Sequence, residues 1–317
     1  MKRALCVNSF EDISALIKGE SPTIDSCFVD RTICEDPNNK FLQVIPYVTF
    51  YTVLPAEGKI KFIQYLRAAE GNEERLVSKS SIGFGGHIDQ LTDIKSSTAY
   101  TAEDTTEHFT MSKEDLVETT FAAAKRELAE ELNVDILNVL GVSLDFENTA
   151  FFMGDPREEV NLVHVGLCIP VKLTEEQLNL FMQSVKVNPA EIQAVDRMTA
   201  NIRHVVEEMD VTVTLNKIMN ELRSKHGMED WSCRVFDFIS RREIHDILKN
   251  VNYDDLYRVA KERADAATIQ AALVPPPPAE VVVPAETAAP VEASQALTQA
   301  LEGEVIPAAD TVQHVSV

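Results

Sequence analysis

The stretch Ser112 to Val134, SKEDLVETTFAAAKRELAEELNV, carries Glu127, Glu130 and Glu131. A helix of about 3.6 residues per turn gathers these three carboxylates within an arc of about 100°. Like charges that close repel one another and are costly unless something positive lies between them. Fixed oxygen donors of this kind are what Mg²⁺ or Mn²⁺ takes, and such a cation bridges carboxylates to phosphate oxygens. The competing reading is a solvated acidic helix face. Upstream, Ser81 to Asp89 reads SIGFGGHID, with Gly83, Gly85 and Gly86 close together. Glycines let a backbone approach a ligand closely, although a tight turn with no ligand has the same composition.

Taken together, these two segments resemble the Nudix box. The family pattern is Gly, five residues, Glu, seven residues, then Arg-Glu-apolar-x-Glu-Glu-x-Gly-apolar. Here Glu118, seven residues and Arg126-Glu127-Leu128-Ala129-Glu130-Glu131-Leu132-Asn133-Val134 match its second part, and Gly85-Gly86-His87-Ile88-Asp89 is similar to its Gly-Gly-x-x-Glu start, with Asp for Glu. Two departures stand out. His87 to Val117 fill the place of five residues, which reads as an insertion over about 90–117 that loops out from the site. Closing a longer loop adds little entropy cost, so the box survives it. Asn133 replaces the last glycine, and Asn is the next best residue for a left-handed helix cap. The resemblance spans about residues 40–235 and includes Met228-Glu229-Asp230-Trp231-Ser232, which looks like the acidic-Trp end of phosphoesterase-like members.

The resemblance implies metal-dependent hydrolysis of a diphosphate bond, in a nucleoside diphosphate linked to another moiety or a similar organic diphosphate, with Mg²⁺ or Mn²⁺. It implies Glu130 and Glu131 as the main metal ligands and Glu127 as a third ligand or proton acceptor. These three are the catalytic candidates, and Gly85 would add a backbone carbonyl to the metal. An ion pair of Glu118 with Arg126 would fasten loop to helix, with Gly86 and Asp89 also supporting the site. Many members draw a further acid from a loop after the box. Glu147, Glu158 and Glu159 are the candidates here, with Asp145 beside them. Arg67, Lys79, Arg157, His87 and His164 are candidate phosphate contacts that no motif supports. Two other readings stay open. A Nudix-fold protein could bind a nucleotide or partner without hydrolysis, although such relatives usually lose carboxylates. A Nudix-fold diphosphate isomerase would need a reactive cysteine, and Cys6, Cys27 and Cys34 form no supporting pattern.

Positioning these residues takes a layered domain. At 100° per residue, Val117, Phe121, Ala124, Leu128 and Leu132 form an apolar stripe, and Ser112 with Asp115 has capping-box-like spacing. Val44 to Leu54 is β-branched and aromatic, and after Pro55-Ala56-Glu57-Gly58 the run Lys59 to Arg67 alternates, so the two read as a hairpin. Leu162 to Val171 reads as a buried strand, and helical patterns cover 112–134, 174–186, 204–224 and 241–270. The fold class expected is α/β (α+β). The resemblance narrows it to an α/β/α sandwich with a mixed sheet, followed by a helical C-terminal extension and a disordered tail. The divisions are an N-terminal segment 1–39, a hydrolase-like domain 40–235, a helical extension 236–270 and a tail 271–317. The tail has no Lys, Arg, Phe, Tyr or Trp and includes Pro275 to Pro278, so it cannot bury enough apolar surface to order itself.

Charge sets the outer limits. With 29 Lys+Arg against 51 Asp+Glu, the 317-residue chain carries −22. Non-specific binding to nucleic acid or anionic membranes is therefore not expected, because phosphate backbones would be repelled. A small phosphate ligand held through a cation remains compatible. The scattered, odd number of cysteines reads as reduced thiols. With no signal-peptide pattern and no apolar run long enough to span a bilayer, the expectation is a cytoplasmic protein. A homodimer is a further expectation, drawn from the resemblance alone.

Overall fold

The computed structural model describes residues 3–68, 76–89, 93, 108–146, 148–202, 211–249 and 314–316. Contacts divide the chain into Met1–Asn250 with Gln313–Val317, and Val251–Val312. Only the first unit contains described residues. Its elements begin with β1 (Arg3–Val7), α1 (Phe10–Lys18), β2 (Ile24–Asp30), α2 (Arg31–Cys34), β3 (Leu42–Leu54) and β4 (Lys59–Arg67). They continue with β5 (Ser80–Ser81), β6 (His108–Met111), α3 (Lys113–Leu132), α4 (Ile136–Leu140), β7 (Ala150–Phe152) and β8 (His164–Lys172). The chain then forms α5 (Glu175–Ser184), β9 (Ile192–Asn201), α6 (Val211–His226), α7 (Asp230–Lys249) and β10 (His314–Ser316).

A mixed sheet runs in the order β10-β7-β8-β3-β1-β2-β6, and β4 branches from β3 to join β5 and β9. The long strand β3 is the spine. It pairs in parallel with β8 from Gln43 to Tyr51 and antiparallel with β4 beyond the 3₁₀ turn at Pro55–Glu57. Its residues are buried on both faces, which explains an apolar run with little polar alternation. Val44, Val48 and Phe50 pack in the core with Leu128 and Leu132 of α3 and Phe181 of α5. On the opposite face, the Tyr47 and Tyr51 hydroxyls donate to Glu229 and Glu243, and Phe62 of β4 meets Phe236 of α7. The sheet is thus sandwiched between α3 and α5 on one side and α7 on the other.

Two divisions expected from sequence do not hold. Residues 1–39 are not a separate segment, because β1 pairs with both β2 and β3 inside the sheet. The boundary at 235/236 falls inside α7, whose Ser232 and Glu243 bond tyrosines of β3 and whose Phe236 packs on Phe62 of β4. The insertion also ends earlier than expected, since β6 pairs with β2 and α3 begins at Lys113; residues 94–107 lie outside the described set. In the segment read as a disordered tail, His314–Ser316 form an edge strand on β7, and 271–313 and Val317 are outside the described residues. All five cysteines are buried free thiols. Among the described residues, no helix is long and apolar enough to cross a membrane.

Candidate active site

Helix α3 presents the carboxylates. The Ser112 side chain accepts from Asp115 N, and Asp115 accepts from Ser112 N, a reciprocal capping box that satisfies two N-terminal donors. At the other end Asn133 takes the left-handed conformation, φ 50°. The carbonyls of Glu131 and Leu132, which have no partner inside the helix, accept from Asn188 N at 2.8 Å and Lys186 N at 3.1 Å. These bonds dock the 185–191 segment on the end of α3, and the charge of Glu191 in that segment acts on Glu127 and Glu131.

Glu127 and Glu131 lie one turn apart on α3, and the charge of Glu191 acts on both. Glu131 is 4 % exposed, and its Oε2 has no hydrogen-bond partner. Burial pushes its pKa well above the ordinary value, and the charges of Glu127 and Glu191 push in the same direction. Arg67 and the Gly85 N–H oppose them. Glu127 is pushed up to about 7, again mainly by burial, with Glu130 and Glu191 adding and Arg126 opposing. Glu130 lies outside this group. Its side chain is 56 % exposed, and it accepts from Arg126 Nη1 at 3.2 Å. Among the described residues, no three His, Cys, Asp or Glu side chains are already gathered to hold a metal ion.

The glycines fit against these acids. Gly85 has φ 151°, and a Cβ there would sit 1.9 Å from the Pro46 carbonyl oxygen. Val48 exchanges both backbone bonds with Phe84, so Pro46, two residues along β3, faces the same segment with no N–H to offer. A Cβ on Gly86 would lie 2.6 Å from the Glu127 carboxylate. The close backbone approach expected of these glycines is therefore made to the helix carboxylates and to β3.

Arg126 is clamped, but not by Glu118. Its Nε and Nη2 donate to the two oxygens of Asp93 at 2.9 and 2.8 Å, and Nη2 also reaches the His87 carbonyl. Asp93 is buried and additionally accepts from Asp89 N at 2.7 Å, closing the turn after the glycines. Glu118 is exposed two turns back on α3. The expected Glu118–Arg126 pair is thus replaced by Asp93–Arg126. Asp93 lies one residue beyond the family's Gly-x₅-Glu spacing from Gly86. That near match was the available signal, and it lies inside the segment read as insertion. Asp89 supports the site through its backbone bonds to Asp93 and its bridge to Ala4.

Of the acids named as candidates after the box, Glu158 lines the cleft beside Gly85 and Gly86, while the charge of Glu191 acts on Glu127 and Glu131. Glu158 pairs with Lys79 at 3.6 Å, Glu159 is exposed in the 3₁₀ turn Glu159–Leu162, and Glu147 lies outside the described residues. Asp145 is exposed beside Asn148. Arg157 is exposed and paired with Asp155. Sequence reasoning missed Glu191 because its place depends on a loop docking onto α3, which no local pattern records.

On the far side of Gly85 and Gly86 opens a cleft lined by Ile45, Tyr47, Arg67, Asn161, His164 and Trp231, among others. Arg67 donates Nε to Glu229 at 3.1 Å. Glu229 is itself held by the hydroxyls of Tyr47 and Ser81 at 2.7 and 2.6 Å, and Ser232 bonds Tyr47 and Ile82 N. The Glu229-Asp230-Trp231-Ser232 segment thus pins the start of α7 to β3 and to the glycine segment. None of the five cysteines lines the cleft.

No family model matches the chain, and no curated protein matches it. Among solved structures it is similar to Tm1382, provisionally described as a Nudix hydrolase, at 17 % identity and a TM-score of 0.36. That match covers 75 % of this chain and 97 % of the other. It is also similar to a MutT/nudix family protein from Enterococcus faecalis, at 12 % identity and a TM-score of 0.27, covering 60 % of this chain and 56 % of the other.

Proposed function

We propose that the chain is a divalent-cation-dependent hydrolase of organic diphosphates, of the kind whose box its helix resembles. The observation that carries this reading is the unpartnered, buried Oε2 of Glu131 beside Glu127 and Glu191. An acceptor left unmet in the interior costs free energy, and two further carboxylates raise that cost. A hard cation relieves both, and the donor set is all oxygen, as Mg²⁺ or Mn²⁺ requires. Glu131, Glu127 and Glu191 would hold it, with Gly85 alongside; Glu130, now paired with Arg126, would join only on leaving that partner. When bound, the cation supplies charge neutralisation for the diphosphate and lowers the pKa of a ligated water.

The chain's own groups take the remaining tasks. Glu127, whose pKa burial pushes up to about 7 in the cation-free protein, is the candidate acceptor of the proton from the attacking water. Arg126 is saturated by Asp93, Glu127, Glu130 and the His87 carbonyl, so it positions carboxylates and has no donors left for substrate. Arg67 opposes the charge of Glu131 and faces the cleft where the substrate would lie.

Chromatographic detection of the nucleoside mono- and diphosphates formed from a panel of nucleotide sugars, dinucleoside polyphosphates and nucleoside triphosphates, with and without Mg²⁺ or Mn²⁺, tests the reading. Turnover should require the cation and fall about 100-fold or more in Glu131→Gln and Glu127→Gln. Equal turnover by these variants and the parent would sink the assigned roles. Cation-independent turnover would sink the metal.

A further inference from the structure

We propose that a second cavity, at the carboxyl ends of β3 and β8, binds a small oxyanion, a polycarboxylate or a phosphate, through Lys172 and Arg242. The inference stands apart from the hydrolase reading, because this cavity shares no lining residue with the cleft beside Gly85 and Gly86. Tyr51 in its wall lies five residues along β3 from Pro46, about 16 Å at the usual rise of a strand. The cavity holds about 530 Å³, within the range of about 300–1,000 Å³ usual for small-ligand sites. Strands β3 and β8 run parallel, with Tyr51 opposite Lys172 in their last register. The carboxyl ends of parallel strands are where layered sheets leave a crevice for ligands.

The ionisable groups of its wall are Lys172, Arg242, Glu243, Asp145 and the Tyr51 hydroxyl. Glu243 is buried and already satisfied. Its Oε1 accepts from the Tyr51 hydroxyl at 2.7 Å and its Oε2 from Lys172 Nζ at 2.6 Å. Arg242 Nη2 donates to the Tyr51 hydroxyl at 2.7 Å and comes within 3.6 Å of Glu243 Oε1. Two cations thus share one buried carboxylate, which leaves a surplus positive charge at the inner wall. Both keep donors for a ligand. Lys172 spends one of its three N–H bonds on Glu243, and Arg242 Nη1 reaches Asn148 only at 3.3 and 3.5 Å. Asp145 lies at the exposed mouth, where Asn148 Nδ2 donates to it at 2.8 Å and water screens its charge.

The pattern selects among ligands. A cation would meet a saturated Glu243 behind two positive groups, and like charges repel. An apolar ligand would strip water from an ammonium and a guanidinium without supplying acceptors in its place. An oxyanion supplies those acceptors, offsets the surplus charge and takes charge-assisted bonds from both cations. The exposed Ser143 hydroxyl and Asn148 amide at the mouth suit further oxygens on the same ligand.

Calorimetric titration of the full-length protein in metal-free buffer tests the site, with citrate, succinate and inorganic phosphate as probes and acetate and chloride as controls at equal ionic strength. Phosphate and citrate stabilise any fold by exclusion at high concentration, so binding is read as saturable heat at low millimolar ligand. At least one probe should bind about tenfold or more tightly than acetate, because a multiply charged ion engages both cations. Phosphate as the tightest probe would point to a phosphate monoester as the resident ligand, and citrate or succinate to a polycarboxylate. Lys172→Met and Arg242→Met should each weaken that probe about tenfold or more. Both substitutions touch the buried Glu243, so two exposed variants at the mouth test the same place if either fails to fold. Ser143→Asp should weaken the probe about threefold or more, and Asp145→Asn should tighten it about threefold. Glu131→Gln should bind as the parent does, whether or not the parent hydrolyses diphosphates. No saturable binding by any probe, binding no tighter than that of acetate, or a tight probe indifferent to both mouth variants would overturn the assignment.

Discussion

Asp93 holds Arg126 from a turn that the helix sequence does not contain, and this swap of partners can be measured. The pair is largely buried, and Asp93 accepts both guanidinium donors and a backbone N–H. Removing the charge from one partner of such a pair leaves the other uncompensated, at about 3 kcal/mol. Asp93→Asn should therefore lower stability by about that amount, while Glu118→Gln, on an exposed face, should stay within about 0.5 kcal/mol of the parent. Urea denaturation of both variants separates the two assignments, and equal losses would restore Glu118 to the clamp. The two glycines divide in a similar way. Alanine at 85 must displace backbone, because its Cβ meets the Pro46 carbonyl, and it also holds a positive φ. That variant should lose about 2 kcal/mol or more of stability. Alanine at 86 meets only the mobile end of Glu127. It should keep its Tm within a few degrees and lose about tenfold or more in kcat, because it shifts a reacting carboxylate. If Gly86→Ala unfolds the protein and Gly85→Ala leaves it unchanged, the geometry at the glycines is wrong.

At the scale of elements, legibility followed locality. The capping box at Ser112, the apolar stripe of α3, the Asn133 cap and the β3–β4 hairpin are all written within a few residues of where they act. What the sequence hid depends on distant pairing. The strand β1 is too short and too neutral in pattern to announce that it lies between β2 and β3. Glu191 acts on the helix carboxylates from the 185–191 segment, which is docked on the end of α3 by backbone bonds. The start of α7 looked like the end of a domain because its acids and Trp231 carry no helical stripe, yet Glu229, just before it, is the acceptor that joins Tyr47, Ser81 and Arg67. Replacing Glu229 with Leu should strand the Arg67 guanidinium and the two hydroxyls. A cost of about 3 kcal/mol is expected, together with earlier hydrogen exchange in the first turns of α7. Unchanged exchange in α7 would show that the helix docks through Phe236 and its other apolar contacts alone.

Over the whole molecule, the net charge of −22 and the carboxylate cluster act on stability in the same direction. Glu127 has its pKa raised from 4.5 to about 7 in the folded protein, so the folded state holds a proton that the unfolded chain has already released. For a group shifted this way, the stabilising contribution is fully present below about pH 4.5 and is lost as pH rises through about 7. The shift corresponds to about 3 kcal/mol for this side chain, and Glu131 is raised in the same direction. General repulsion among the surface acids adds to the loss as pH rises. The cation-free protein should therefore have a lower Tm at pH 8 than at pH 5.5, and Glu127→Gln should flatten that slope. Salt screens exposed charges but reaches a buried cluster poorly. If a divalent cation sits among Glu127, Glu131 and Glu191, Mg²⁺ or Mn²⁺ at pH 8 should raise Tm well beyond NaCl of equal ionic strength, and chelation should reverse the gain. The excess should vanish in Glu131→Gln. A cation effect no larger than that of NaCl, or one that survives in Glu131→Gln, would mean that the crowded carboxylates are not where the metal binds.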